Sequence, residues 1–152
     1  MKVTDILVRD ASRLDLQSSA KDAILAEMAG ALADAEPTID ADVLLGVLRE
    51  REALQSTGIG DGVAIPHGKL PGLDRLMASF ARSPGVDFAA IDGEPTRLFF
   101  LLVVPEHSGG QHLKALARIS RFVRDEAFRD RLLAATGADE VFAAIEDEDA
   151  KF

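Results

Sequence analysis

The apolar positions between residues 20 and 51 fall in two runs, each spaced like one face of a helix. In the first run Ile24, Met28, Ala31 and Leu32 recur at helical spacing. Ser19, Ala20, Lys21 and Asp22 precede them and resemble a capping box with Asp in the acidic place. Pro37 and Thr38 interrupt, after which Ile39, Val43, Leu44, Val47 and Leu48 keep the same one-sided spacing up to Arg51. Burying such side chains stabilises by roughly 1.5–3 kcal/mol each, so both faces are expected to pack on something, and a sheet is the candidate.

The period changes in the middle of the chain. Leu73 to Ser83 mixes apolar and polar residues and is followed by a turn-forming Pro84-Gly85, while Leu98 to Val104 is an unbroken apolar run ending at Pro105. An uninterrupted run of that length predicts a central strand covered on both faces. Asp92-Gly93-Glu94-Pro95 supplies the turn chemistry between the two, so they are expected to pair antiparallel. Beyond Gly110 the helical period returns: His112, Leu113, Leu116, Ile119, Ser120 and Val123 predict one helix. Phe128, Leu132 and Leu133, then Val141, Phe142 and Ile145, predict two shorter helices split at Gly137. The acidic tail from Glu146, within residues 146–152, is expected to fray. With no internal repeat or linker, the reading is a single domain over residues 1–152, in the α/β class with α+β-type layers: a mixed sheet flanked by helices.

Composition narrows the function. A chain of 152 residues can bury a full core without covalent staples, and the absence of cysteine excludes disulfides, thiolate zinc sites and thiol catalysis. A net charge of −9 repels polyanions, so nucleic acid is not expected as a partner. Met1 to Asp10 shows no basic stretch leading into an apolar one, and no apolar segment is long enough to span a bilayer. A cytoplasmic protein with no direct membrane insertion is the expectation.

The chemistry is concentrated in Ser56 to Leu70, STGIGDGVAIPHGKL, where four glycines, a proline and a histidine join a helix to a strand. Gly58, Gly60 and Gly62 would let the backbone approach a ligand and turn N–H groups inward, as an anion such as phosphate requires. Val63, Ala64 and Ile65 predict a short strand; Pro66 then fixes the backbone before His67, and Gly68 leaves the imidazole uncrowded. The loop is neither of the two familiar nucleotide loops. Five residues separate Gly62 from Gly68 where a P-loop has four, Leu70 stands where it has Ser or Thr, and the earlier glycines are spaced GxGxG rather than GxGxxG. A largely neutral imidazole at pH 7 can attack phosphorus through one nitrogen while the other holds a fixed acceptor, which suits His67 to carrying a phosphoryl group. Arg51 adds a fixed charge, and His112 follows Gly109-Gly110 at a helix start, where free N–H groups welcome an anion.

These residues carry a resemblance. Thr57 to Leu70, with Arg51 before it and His112-Leu113 after it, resembles the fructose/mannitol-type enzyme IIA family of the phosphoenolpyruvate-dependent phosphotransferase system, and is most similar to its nitrogen-regulatory branch. The family's TGIGxGxAIPHGK signature is nearly unbroken, and LFFLLVVP and GGQHLKALARIS follow in the family's order, so the similarity spans Met1 to Ile145. The resemblance implies a mixed sheet flanked by helices and a phosphorylated His67 whose pocket His112 and Arg51 line. It implies no metal and no organic cofactor. The implied donor is a small histidine phosphocarrier protein, charged by enzyme I, docking on a shallow apolar rim for which Ile59 and Leu70 are the candidates. Nitrogen-type members act as regulators of other proteins; sugar-type members pass the group to a IIB transporter subunit. A chain without a fused membrane or IIB domain fits regulation. Two residues depart from the pattern. Asp61 takes a slot where Asn is frequent and, if it faces the pocket, should slow transfer or make it salt-sensitive; His107 has no family role.

Two other readings compete. A metal hydrolase would use His67, His107 and His112, but HExxH spacing is absent and no carboxylate is spaced as their partner. A binding module that kept the fold without using phosphorylation is the other.

Overall fold

The computed structural model describes residues 1–152. Its centre is β5 (Thr96–Pro105), in which every residue from Leu98 to Val104 is buried. The alternation of a strand is present but hidden, because both faces are covered. Phe99, Leu101 and Val103 face one helical layer, while Leu98 and Phe100 face the other.

β4 (Met77–Val86) pairs with β5 antiparallel, with Phe80 opposite Phe100, as the turn at Asp92 to Pro95 predicts. Pro84-Gly85 does not end that strand. The pair absorbs it as an irregularity in register between Arg82 and Val86, after which Val86 still pairs with Thr96. On the other edge of β5 lie two short parallel strands, β2 (Val63–Ala64) and β3 (His67–Leu70). They form one edge broken at Ile65-Pro66, since proline has no N–H to give the ladder. β1 (Gly58–Gly60) turns back on β2 as an antiparallel hairpin. The N-terminal segment, including α1 (Val3–Ile6), runs along the free edge of β4, where Val8 and Leu16 donate N–H bonds to the carbonyls of Ala78 and Arg82.

α2 (Lys21–Ala35) and α3 (Ala41–Leu54) cover one face, burying Ile24, Leu25, Met28 and Leu32 from the first and Leu44 and Leu48 from the second. The Ser19 capping box does not form. Ala20 occupies the cap position with no side-chain bond, and the Asp22 carboxylate instead takes Arg49 of α3 at 2.7 Å. α3 does have a capped start, as Asp40 accepts from the N–H groups of Asp42 and Val43. Val43 itself is exposed on the outer side of α3. α4 (Gln111–Phe122), α5 (Glu126–Ala134) and α6 (Ala138–Asp149) cover the opposite face, with Ile119, Phe122, Phe128, Leu132, Val141 and Ile145 in its core. The split at Gly137 is where the pattern predicts it.

The acidic tail is not frayed. Residues 146–149 complete α6, and both Glu148 and Asp149 are buried. Asp149 accepts the N–H groups of Val3 and Thr4 at 2.8 and 3.1 Å and pairs with Arg118 at 3.0 Å. Reading the run as a charge cluster misses it, because its partners, Val3, Thr4 and Arg118, are distant along the chain.

Candidate functional site

His67 opens β3 immediately after the break in the sheet edge. The Pro66 carbonyl accepts from Leu102 N, and the Ile65 N–H donates to the Thr57 carbonyl. The Ile65 carbonyl, which points away from β5 while those of Gly62 and Pro66 accept from it, takes the His67 Nδ1–H at 2.8 Å. A carbonyl can only accept, so Nδ1 carries the proton and Nε2 keeps the free lone pair. The ring is half-buried, and burial pushes its pKa below the ordinary histidine value. The positive charge of Arg51 and the nearby His112 push the same way; the Ile65 hydrogen bond and the Glu52 carboxylate oppose them.

Gly68 lets β3 lie close against α3. A Cβ there would stand 2.5 Å from Cγ1 of Val47, a β-branched side chain with almost no alternative rotamer in a helix. Gly68→Ala is therefore expected to displace α3 and destabilise the protein by about 1–3 kcal/mol. Urea unfolding of the variant, alone and combined with Val47→Ala, checks this: the second change should return most of the loss.

His67 lies between two open cavities. One, of about 420 Å³, is lined by Arg51, His67, His112, Lys69, Glu50 and Leu116, and so brings together the three side chains that the sequence singles out. The other, of about 410 Å³, is shared by His67 and Arg51 with Ser56, Thr57, Ile59 and Ser120. The Arg51 guanidinium donates to the Gln55 carbonyl at 2.8 Å near the end of α3. The His112 ring, in the first turn of α4, is held at Nδ1 by the Ser108 hydroxyl at 3.1 Å. His107 lines a separate cavity with Asp74 and Arg75, away from the other two histidines.

The glycine loop works differently from the expectation. The Thr57 N–H is taken by the Glu52 carboxylate and the Gly58 N–H by the Ser56 hydroxyl, so neither is free for an anion. Gly60 and Gly62, at φ of +94° and +76°, make the tight turn between β1 and β2, and the Gly62 carbonyl accepts from Arg97 and Leu98. The fixed positive charge in the cavity comes from Arg51 and Lys69, with the His112 ring beside them. Asp61 sits at the tip of that turn, exposed, with its N–H on the Asp92 carboxylate, and lines neither cavity. Asp61→Asn is thus expected to leave phosphoryl transfer rates equal to the parent at low and high salt. Rates that diverge as salt is lowered would place its charge in the transfer step after all.

The rim also needs correction. Ile59 is exposed, but Leu70 is only 5% exposed and belongs to the core beside α2 and α3. It ends β3, and the strand's alternation turns it inward. The exposed apolar residues near His67 are Ile59, Ile91 and Leu54, which line its cavities, and Leu113, next to His112.

Glu52 is the site residue that the sequence reading passes over. Its side chain is 6% exposed and holds Thr57 through both the N–H and the hydroxyl, while Lys21 of α2 reaches it at 2.8 Å. A signal existed: Leu44, Leu48 and Glu52 stand at i, i+4 and i+8 on the buried face of α3. A carboxylate continuing an apolar stripe must find partners indoors.

Residues 5–148 match the family described as phosphoenolpyruvate-dependent sugar phosphotransferase system, EIIA 2, and the chain belongs to that family. It is thus a phosphotransferase component. It is 40% identical over 146 residues to a nitrogen regulatory protein of Bradyrhizobium diazoefficiens, covering 95% of each chain. It is also 34% identical over 150 residues to the fructose-specific EIIABC component of Bacillus subtilis, where it covers 98% of its own length but 24% of the relative's. The crystal structure of the nitrogen regulatory protein IIA-Ntr of Neisseria meningitidis superposes with a TM-score of 0.87 at 32% identity, over 94% of this chain and 98% of that one. No helix is long and apolar enough to cross a membrane.

Proposed function

We propose that this protein is a cytoplasmic phosphocarrier. It accepts a phosphoryl group on Nε2 of His67 from a histidine phosphocarrier protein and acts as a regulator of the nitrogen type. The observation that carries the reading is the Nδ1–H bond to the Ile65 carbonyl, which turns a half-buried imidazole into a single tautomer with one available nucleophilic nitrogen.

In the transfer step the Nε2 lone pair forms a bond to phosphorus as the donor's N–P bond breaks. The donor's protonated phosphohistidine leaves as a neutral imidazole, and His67 becomes a phosphoimidazolium. No proton has to move. The cationic ring keeps its Nδ1–H on the Ile65 carbonyl, which stabilises it better than the neutral ring. Phosphoryl transfer spreads charge over the equatorial oxygens, so catalysis rests on positioning and on positive charge nearby. Arg51 is the fixed cation in reach, and to meet the phosphoryl oxygens it exchanges its Gln55 carbonyl for them. Lys69 and the start of α4, whose first turn holds His112, add to the same field.

The exposed Leu54, Ile59, Ile91 and Leu113 supply the apolar contact for the donor, whose own phosphohistidine must come within bonding distance of His67. Regulation is favoured over sugar transport by the end-to-end match to a nitrogen regulatory relative, although the fructose-type relative keeps a IIB subunit in view as acceptor. Incubation with phosphoenolpyruvate, enzyme I and a histidine phosphocarrier, followed by an alkaline quench and intact mass measurement, tests the carrier role. A gain of one phosphoryl group that is lost on acid treatment is the expected result. An unchanged mass with a demonstrably charged donor would leave a binding module on this fold.

A further inference from the structure

Behind His67 runs a series of polar contacts that ends on an ion pair whose carboxylate is buried and whose lysine is partly exposed. Lys21 Nζ of α2 meets Glu52 Oε1 of α3 at 2.8 Å, and lies 4.6 Å from the centre of the Phe88 ring. Glu52 takes both the N–H of Thr57, at 3.1 and 3.2 Å to its two oxygens, and the Thr57 hydroxyl. Thr57 is 4% exposed, and its carbonyl accepts from Ile65 N at 3.0 Å. The other end of the same Ile65 residue, its carbonyl, holds His67 Nδ1. The Thr57 N–H and hydroxyl and the Glu52 carboxylate are thus committed to this line of residues.

We propose that Glu52 is a positioning residue for phosphoryl transfer: it holds Thr57, Thr57 holds Ile65, and the Ile65 carbonyl selects the His67 tautomer that presents Nε2. This rests on the reading of His67 as the phosphoryl acceptor. The physical case has two parts. Ile65 sits at the break between β2 and β3, where Pro66 removes one ladder bond, so its orientation depends on the Thr57 contact more than it would inside an unbroken strand. Thr57 in turn follows the extended Gln55 that ends α3, in a connection with no ladder of its own before β1. A carboxylate rooted in α3 and pinned by Lys21 is the rigid point to which this connection is tied. Charge acts in the same direction, since Glu52 offsets part of the effect of Arg51 and His112 on the His67 ring.

Ring ¹⁵N spectra of His67 and transfer kinetics, measured on the full chain, separate this role from a merely structural one. In the parent, Nδ1 should be protonated and Nε2 unprotonated above the ring's titration. Glu52→Ala and Thr57→Val should each show a mixture of the two tautomers. Their transfer rate at saturating donor should fall by about 10²-fold, the size expected from a displacement near 1 Å, with little change in the donor concentration giving half-maximal rate. Thr57→Ser, which keeps the hydroxyl, should return the single tautomer. Glu52→Gln, which keeps an acceptor for Thr57 but loses the charge, should keep the tautomer and titrate at lower pH than the parent.

A folded Glu52→Ala or Thr57→Val that retains the parental tautomer and rate would overturn the proposal. If Glu52→Ala does not fold, Thr57→Val decides, because it removes only one hydroxyl contact. If the parent itself takes up no phosphoryl group, the carrier reading falls, while the tautomer spectra still decide whether Glu52 positions the ring.

Discussion

His67→Gln will take up no phosphoryl group under conditions that charge the parent completely, and will unfold at nearly the parental temperature. The first half follows from chemistry. A glutamine amide nitrogen has no lone pair available to attack phosphorus, and His107 and His112 cannot substitute: one lies in another cavity, and the other lacks the Ile65 carbonyl that readies His67. The second half follows from placement. The ring is half-buried at a cavity wall, and its one hydrogen bond is to a carbonyl that a glutamine amide can also reach.

The pH profile of the parent gives the same test a sign. Only the neutral ring is nucleophilic, and burial lowers the pKa from its ordinary 6.5, so uptake should hold its rate as pH falls through 6.5 and decline only below the lowered value. For stability the sign is also definite. Between the two pKa values the unfolded chain binds more protons than the folded one, so this histidine's contribution is complete above 6.5 and is lost as pH falls toward the folded value. His67→Gln should lack that component. Intact mass after alkaline quench and thermal melts across pH 5 to 8 check both; uptake of a phosphoryl group by the variant would move the acceptor to another residue.

The second large effect is expected far from the chemistry. Asp149→Ala should cost about 3–5 kcal/mol, the usual penalty for removing one partner of a buried ion pair. Its side chain is 2% exposed and that of Arg118 17%. Without the carboxylate, the guanidinium loses the partner held at 3.0 Å, and the N–H groups of Val3 and Thr4 lose their acceptor at the start of α1. At roughly 2–4 °C per kcal/mol for a chain of this size, the melting temperature should drop by on the order of 10 °C. Asp149→Asn, which can still accept from the helix start, should fall between the two. Melting followed by circular dichroism measures it, and a drop within about 2 °C for the alanine variant would mean that the contact between the ends of the chain contributes little.

What the residues determine by themselves is whatever depends on near neighbours along the chain. The periods around Leu44 and Leu48, Phe128 and Leu132, and Val141 and Ile145 mark helices, and the unbroken run from Leu98 to Val104 marks the central strand. In each case local spacing and burial act together. His67 is legible for the same reason, since Pro66 and Gly68 frame it within three residues. The rest depends on partners brought from a distance. Pro84-Gly85 looks like a turn, yet β5 lies alongside and its ladder carries β4 through that dipeptide. Leu70 looks like rim until the register of β3 turns it inward. Glu146 to Asp149 look like a solvated tail until α1 and Arg118 arrive to pair with Asp149. The tautomer of His67 is of this second kind as well. It is set by a carbonyl two residues away, but that carbonyl is placed to accept because Ile65 faces away from β5 and Thr57 holds it from the neighbouring connection. A pattern of residue types specifies which groups want partners; only the assembled chain specifies which partners they find.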